Sequence, residues 1–191
     1  MRTRDADLLF VPGWTGSGPD HWQSRWEAKL PNAVRVRQRD WDAPDPAEWS
    51  AALVAAVARA TRPVVLVAHS CGVLTVVHAA PALPAGRVAG AFLVATPDPE
   101  DALKAPSEVL AFAPTPRERL PFPSLLVASH DDPYCDFAVA RELASAWGAR
   151  FVDAGPAGHL NTASGHGPWP EGLMTFAGFL NRLSAPNGAA G

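Results

Sequence analysis

The sequence predicts an α/β fold: a six-stranded, mostly parallel sheet with helices on both faces. Three observations carry this expectation. Short apolar runs recur at 8–11, 64–68, 88–95 and 123–129, each reading as a strand, and the valine-rich run 64–68 as one buried on both faces. Segments with helical spacing separate them, so strand and helix alternate. A chain of 191 residues is long enough for one domain with a two-sided core and short for two. With no internal repeat or boundary, residues 1–184 read as one domain and 185–191 as a disordered tail.

In chain order, Leu8-Leu9-Phe10-Val11 forms the first strand, broken by Pro12-Gly13. The next residues, 14–19, make a glycine-rich loop. Its spacing is neither Gly-x-Gly-x-x-Gly nor the Walker pattern, which argues against nucleotide binding. A helix is expected over 20–30, with Trp22 and Trp26 one turn apart on a core face and His21 at the surface. Val34 and Val36 mark a second strand, ending near Asp40. The run Arg35-Val36-Arg37-Gln38-Arg39 alternates like the solvated edge of a sheet rather than a nucleic-acid patch. Trp41, in a proline- and acid-rich loop, either lies over a pocket or packs. A helix over 46–60 places Trp49, Leu53, Ala56 and Val57 on one face and delivers the chain to the third strand.

That strand, 64–68, runs directly into His69-Ser70-Cys71-Gly72 and then a helix over 73–80. Strand, sharp turn with serine at its apex, then helix is the context of a nucleophile elbow. The turn needs small residues two before and two after the serine, which Ala68 and Gly72 supply. A serine that simply caps a helix is the alternative. A fourth strand follows at 88–95, and the segment 96–120, broken by five prolines, has room for one short helix, with Leu110 and Phe112 needing burial. The fifth strand (123–129), a helix (136–147), a sixth short strand (150–153) and a closing helix (171–183) complete the chain.

Hydrophobic residues make up 48% of the sequence and mean hydropathy is near zero, as in soluble globular chains. The longest apolar runs fall well short of a membrane span. Met1-Arg2-Thr3-Arg4-Asp5 leads into the first strand without an apolar signal region, so the expected location is the cytoplasm. A net charge of −3, with 16 basic residues mostly scattered, gives no sign of nucleic-acid binding. Cys71 and Cys135 are too few for a disulfide framework and read as small buried thiols. No histidine pair has metal-ligand spacing beside carboxylates, so no metal or other cofactor is expected.

Ser70, an acid after the fifth strand and His159 after the sixth stand in the order Ser, Asp, His, all beyond the carboxyl ends of strands. A neutral His159 would take the Ser70 proton and later return it to a leaving group, while a carboxylate holds its tautomer. The backbone N–H groups of Trp14 and Cys71 would face a substrate oxygen. Spacing does not choose between Asp131 and Asp132, and Asp98 after the fourth strand is a further rival. Trp41, His130 and His166 are candidate pocket residues. His69 reads as a packing or hydrogen-bonding group, and His78 sits on the helix after the elbow.

Several motifs together are more specific: Val11-Pro12-Gly13-Trp14, His21-Trp22, Asp40-Trp41, His69-Ser70-x-Gly72, Asp132-Pro133-Tyr134 and Gly158-His159-Leu160-Asn161, with Ser164-Gly165-His166-Gly167-Pro168-Trp169-Pro170 beyond them. They resemble the small α/β-hydrolase-fold serine hydrolases of the retinoblastoma-binding protein 9 and YdeN type, over nearly the whole chain. The resemblance implies the minimal form of that fold, with little or no cap domain. It also assigns the acid to Asp132, the residue directly before the proline. The expected function is hydrolysis of a small ester, thioester or amide through an acyl-enzyme on Ser70. A short-peptide peptidase and a non-catalytic protein-binding member of the same fold are the alternatives, because fold alone does not imply function.

Overall fold

Along β1 (Asp7–Val11), Leu8 and Phe10 join the core on one face of the sheet, while Leu9 and Val11 join the core on the other. The same alternation repeats in β3 (Val64–His69), where Val65 and Val67 oppose Val64, Leu66 and Ala68. Strands with two buried faces require a helical layer on each side, and the computed structural model, which describes residues 1–183, has both. The expected tail at 185–191 lies outside the described residues.

The sheet has six strands in the order β2-β1-β3-β4-β5-β6, with β2 at Ala33–Arg35, β4 at Val88–Val94, β5 at Ser124–Ala128 and β6 at Arg150–Asp153. Every neighbouring pair is parallel. One face is covered by α1 (Trp22–Glu27) and α5 (Pro170–Leu183), through Trp22, Trp26, Phe176, Phe179 and Leu180. The other is covered by α2 (Pro46–Arg59), α3 (Cys71–Ala79) and α4 (Phe137–Trp147). Local chemistry sets the helix ends. Asp45 caps α2 by accepting the Glu48 N–H at 2.8 Å, with Pro46 in the first turn, where its missing N–H costs nothing. Gly148 closes α4 in the left-handed conformation (φ 66°).

Three expectations need correction. The first helix is shorter than 20–30, because residues 17–21 are bent into the loop that precedes it. The second strand ends at Arg35 rather than near Asp40, and Arg35 is not a solvated edge residue. Its guanidinium is mostly covered; it pairs with Glu27 (2.9 Å) and donates to Ser24 Oγ (2.6 Å) and to the carbonyls of Gly16 and Ser17. In the 96–120 segment the helical turn is Ser107–Phe112, and Val109 rather than Leu110 is buried beside Phe112. His78 Nε2 donates to the Phe112 carbonyl at 2.9 Å, and Trp49, Cys71 and Leu74 complete a small third core beneath this turn. No helix among the described residues is long and apolar enough to cross a membrane.

The chain runs from β1 outward to β2, then crosses back to β3 on the opposite side of β1. That reversal opens a crevice beyond the carboxyl ends of β1 and β3, the place where open parallel sheets hold ligands. Trp14 follows β1 and Ser70 follows β3.

Candidate active site

Ser70 sits between β3 and α3 with φ 56° and ψ −129°, a strained conformation for a non-glycine residue. Close packing holds it there. A Cβ on Gly72 would fall 2.0 Å from the Val11 carbonyl oxygen, and one on Gly13 would fall 2.8 Å from Ser70 Cβ. The end of β1 and the start of α3 therefore touch backbone to backbone. The Trp14 and Cys71 N–H groups each open a helical turn and so have no intrahelical acceptor.

Ser70 Oγ lies 2.8 Å from His159 Nε2, and both carboxylate oxygens of Asp132 lie 2.9 Å from His159 Nδ1. The His159 and Asp132 side chains are only 7% and 4% exposed, so little water competes for these bonds. The geometry suits a neutral imidazole that donates from Nδ1 to the carboxylate and accepts from the Ser70 hydroxyl. Asp132 Oδ1 also accepts the Tyr134 N–H (2.9 Å), and the Tyr134 ring stands edge-on to His159.

Asp131 has a different place. It is exposed and neither caps a helix nor reaches His159. It accepts from the Ser129 hydroxyl and the Gly158 N–H, each at 2.7 Å, tying together the loops that carry Asp132 and His159. These bonds hold its carboxyl below the usual carboxylate range. Asp98 turns away and accepts the Glu100 N–H. Gly158 (φ 56°) and Leu160 (φ 49°) flank His159 in left-handed conformations, and the Leu160 carbonyl accepts the Trp22 indole N–H at 2.9 Å.

A cleft of about 320 Å³ opens over Ser70, at the small end of ligand sites. Thr15, Ser17, Asn161 and Thr162 line it with polar groups, and Trp14, Pro97, Pro106, Val109 and Tyr134 with apolar ones. The three pocket residues expected from sequence lie outside this lining. Trp41 packs edge-on against Trp49 and beneath Gly16, and its carbonyl accepts the Thr15 N–H at 2.9 Å. It braces the loop after β1, because Gly16 (φ 78°) has no side chain to keep the indole away. His130 bonds Asp153 (2.9 Å) and rests on Phe137. His166 meets Ser164 Oγ at 3.1 Å and stands near Trp169.

His21, expected at the surface, is 5% exposed and lines the cleft. Its Nδ1 accepts the Gln23 N–H, and its ring lies against His69. Burial is the main cause that lowers its protonation midpoint to about 4, with His159 and Arg35 adding to it. His69, fully enclosed, is pushed well below the usual histidine range by the same cause and donates from Nε2 to the His159 carbonyl at 2.9 Å. The His21-Trp22 pair was the sequence signal for this wall. Cys71 and Cys135 are buried thiols, both driven upward in pKa by burial, Cys135 to about 12. Among the described residues no group of three His, Cys, Asp or Glu side chains could hold a metal.

The profile of the serine hydrolase family matches residues 8–178. A YdeN-like hydrolase from Pectobacterium atrosepticum is 36% identical and superposes with a TM-score of 0.83, over 93% of this chain and 92% of that one. The ydeN gene product of B. subtilis is 18% identical, with a TM-score of 0.70 over 92% and 99% of the two chains. Thermogutta terrifontis esterase 2 is 16% identical, with a TM-score of 0.65 over 98% and 88%. At these lower identities the likeness shows a shared α/β-hydrolase fold alone. No curated protein matches the chain. The profile match runs from β1 into α5, across the whole sheet that the YdeN-like hydrolase shares, and so the chain belongs to the serine hydrolase family, among its small YdeN-type members with a minimal α/β-hydrolase fold.

Proposed function

We propose that this chain cleaves a small ester, thioester or amide through an acyl-enzyme on Ser70. The observation that carries the reading is the buried hydrogen-bonded chain from Ser70 Oγ through His159 to Asp132. His159 Nε2 takes the hydroxyl proton as Ser70 attacks the substrate carbonyl, and Asp132 stabilises the imidazolium that forms. The Trp14 and Cys71 N–H groups receive the developing oxyanion. One such donor is worth roughly 10²- to 10³-fold in rate. His159 then protonates the leaving group and afterwards activates the water that releases the acid. The same reading takes residues 1–184 as one domain acting in the cytoplasm on a small molecule, supported by one sheet running through the chain and by two cysteines kept as thiols.

The test is labelling with a fluorophosphonate probe. Ser70→Ala is expected to abolish labelling. Asp132→Asn should slow it by a factor on the order of 10³ to 10⁴, by disfavouring the tautomer that accepts the serine proton. Asp131→Asn, which loosens a loop tie without touching His159, should slow it far less. A well-folded wild type that does not label would overturn the reading and leave a binding protein on the same fold.

A further inference from the structure

One wall of the cleft is built of imidazoles. His21 lies against His69, with 4.7 Å between ring centroids, and His69 lies against His159 at 4.9 Å. Hydrogen bonding sets the tautomer of the first two. His69 Nε2 faces a carbonyl and so carries the proton. His21 Nδ1 accepts the Gln23 N–H at 3.2 Å, so the neutral His21 ring carries its proton on Nε2. That N–H is buried and has no acceptor among the described residues.

A buried donor left unmatched is costly and calls for a reason. Capping α1 does not supply one, since capping uses only Nδ1, and serine or aspartate would cap with no side-chain N–H at all. The nitrogen belongs to a residue that lines the cleft. The side-chain adjustments usual on binding would bring it to a ligand. Burial keeps this ring uncharged near neutral pH. The cleft lining contains no Asp, Glu, Lys or Arg among the described residues, so a charged substrate group would meet no counter-charge there.

Resting on the acyl-enzyme reading above, we propose that His21 is a specificity-determining residue that donates from Nε2 to an uncharged oxygen of the substrate, in a cleft that selects substrates neutral on both sides of the scissile bond. The oxygen is an ether, hydroxyl or carbonyl close to the reacting ester.

Two isosteric ester pairs test this. Butyrate and methoxyacetate p-nitrophenyl esters exchange a methylene for oxygen in the acyl group. Butyl acetate and 2-methoxyethyl acetate make the same exchange in the alcohol. Each kcat/KM is divided by the rate of hydroxide hydrolysis to remove intrinsic reactivity. The wild type should prefer the oxygen-bearing member of one pair by about ten-fold. That preference should collapse in both His21→Asn and His21→Ser, which keep a capping oxygen but lack an N–H at this reach. The pair that responds tells whether the oxygen belongs to the acyl or the alcohol portion. The p-nitrophenyl ester of hydrogen adipate, whose carboxylate is too distant to attack its own ester readily, should be at least about ten-fold poorer than the corresponding neutral methyl p-nitrophenyl adipate.

Equal preference in wild type and variants for both pairs, or a charged ester accepted as well as a neutral one, would overturn the proposal. Fluorophosphonate labelling of Ser70 separates the two levels. Intact labelling without discrimination overturns the role of His21 alone. A folded wild type that neither labels nor hydrolyses any of the esters overturns the acyl-enzyme reading and this one with it. Should both variants lose labelling, the preference of the wild type alone decides.

Discussion

Replacing Gly72 with alanine should damage both stability and chemistry, and the structure gives the reason. The new Cβ would lie 2.0 Å from the Val11 carbonyl oxygen and 2.8 Å from both the Val11 carbonyl carbon and the Pro12 oxygen. Carbon and oxygen approach no closer than about 3.3 Å even in favourable C–H···O contacts, so the two backbones must separate by more than about 1 Å. β1 cannot give way easily, being paired to β2 on one side and β3 on the other. The start of α3 must lift instead, taking the Cys71 N–H and Ser70 Oγ with it. Overpacking of this kind costs roughly 1–3 kcal/mol, with immovable backbone toward the upper end. A misplacement near 1 Å in the reacting groups costs about 10²-fold in rate. Urea denaturation at constant m-value reads the first quantity, and the second-order rate of fluorophosphonate labelling reads the second. Gly178→Ala is the control, since its Cβ would meet nothing nearer than 3.8 Å and alanine favours α5 by about 1 kcal/mol. A Gly72→Ala protein within about 0.5 kcal/mol of wild type that labels at the wild-type rate would refute the contact on which this argument rests.

Stability should also fall with acid in a defined window. His21 and His69 resist protonation when folded and accept it below about pH 6.5 when unfolded, so the stabilisation they confer is complete above about pH 6.5 and fades as pH falls toward the folded values, about 4 for His21. For His21 the limiting loss is about 3 kcal/mol. The urea midpoint should drop between pH 7 and pH 4.5, and less so in His21→Asn; a flat profile in wild type would count against the burial of both rings. The lowered carboxyls of Asp7, Asp131 and Asp153 add their own loss only near and below pH 4. Arg35→Lys tests whether the loop after β1 is held from below. Lysine cannot reproduce a fork that reaches Gly16, Ser17, Ser24 and Glu27 together. Labelling of Ser70 should therefore slow by about ten- to a hundred-fold as the Trp14 N–H drifts, whereas an unchanged rate would show that the loop holds its place without the guanidinium.

What could be read from sequence, and what could not, divides along the range of the interactions involved. The elbow was legible because its determinants are consecutive: a strand buried on both faces, a residue forced to φ 56°, and a glycine two positions on that admits the neighbouring backbone. Chain order then placed an acid and a histidine at strand ends, although Asp131 and Asp132 differ only in which way adjacent side chains project, and that the loop decides. The surroundings of His21, Arg35 and Trp41 were hidden in the sequence for one shared reason, although packing was one of the two readings offered for Trp41. Each is a polar or amphipathic side chain in a polar stretch, and its burial comes from a partner far along the chain: His69 for His21, the Gly16 and Ser17 carbonyls for Arg35, Gly16 and Trp49 for Trp41. Arg35 and Trp41 converge on the loop after β1, and His21 stands where that loop enters α1. The groups expected to react sit on strand ends whose positions the sheet dictates. The wall beside them rests on a loop with three successive positive φ values (Thr15, Gly16, Ser17), which only these long-range contacts can hold. Changes at Arg35 or Trp41 should thus displace this wall and the Trp14 N–H while leaving the Ser70–His159–Asp132 chain in place, and should lower kcat through the oxyanion contact as well as raise KM.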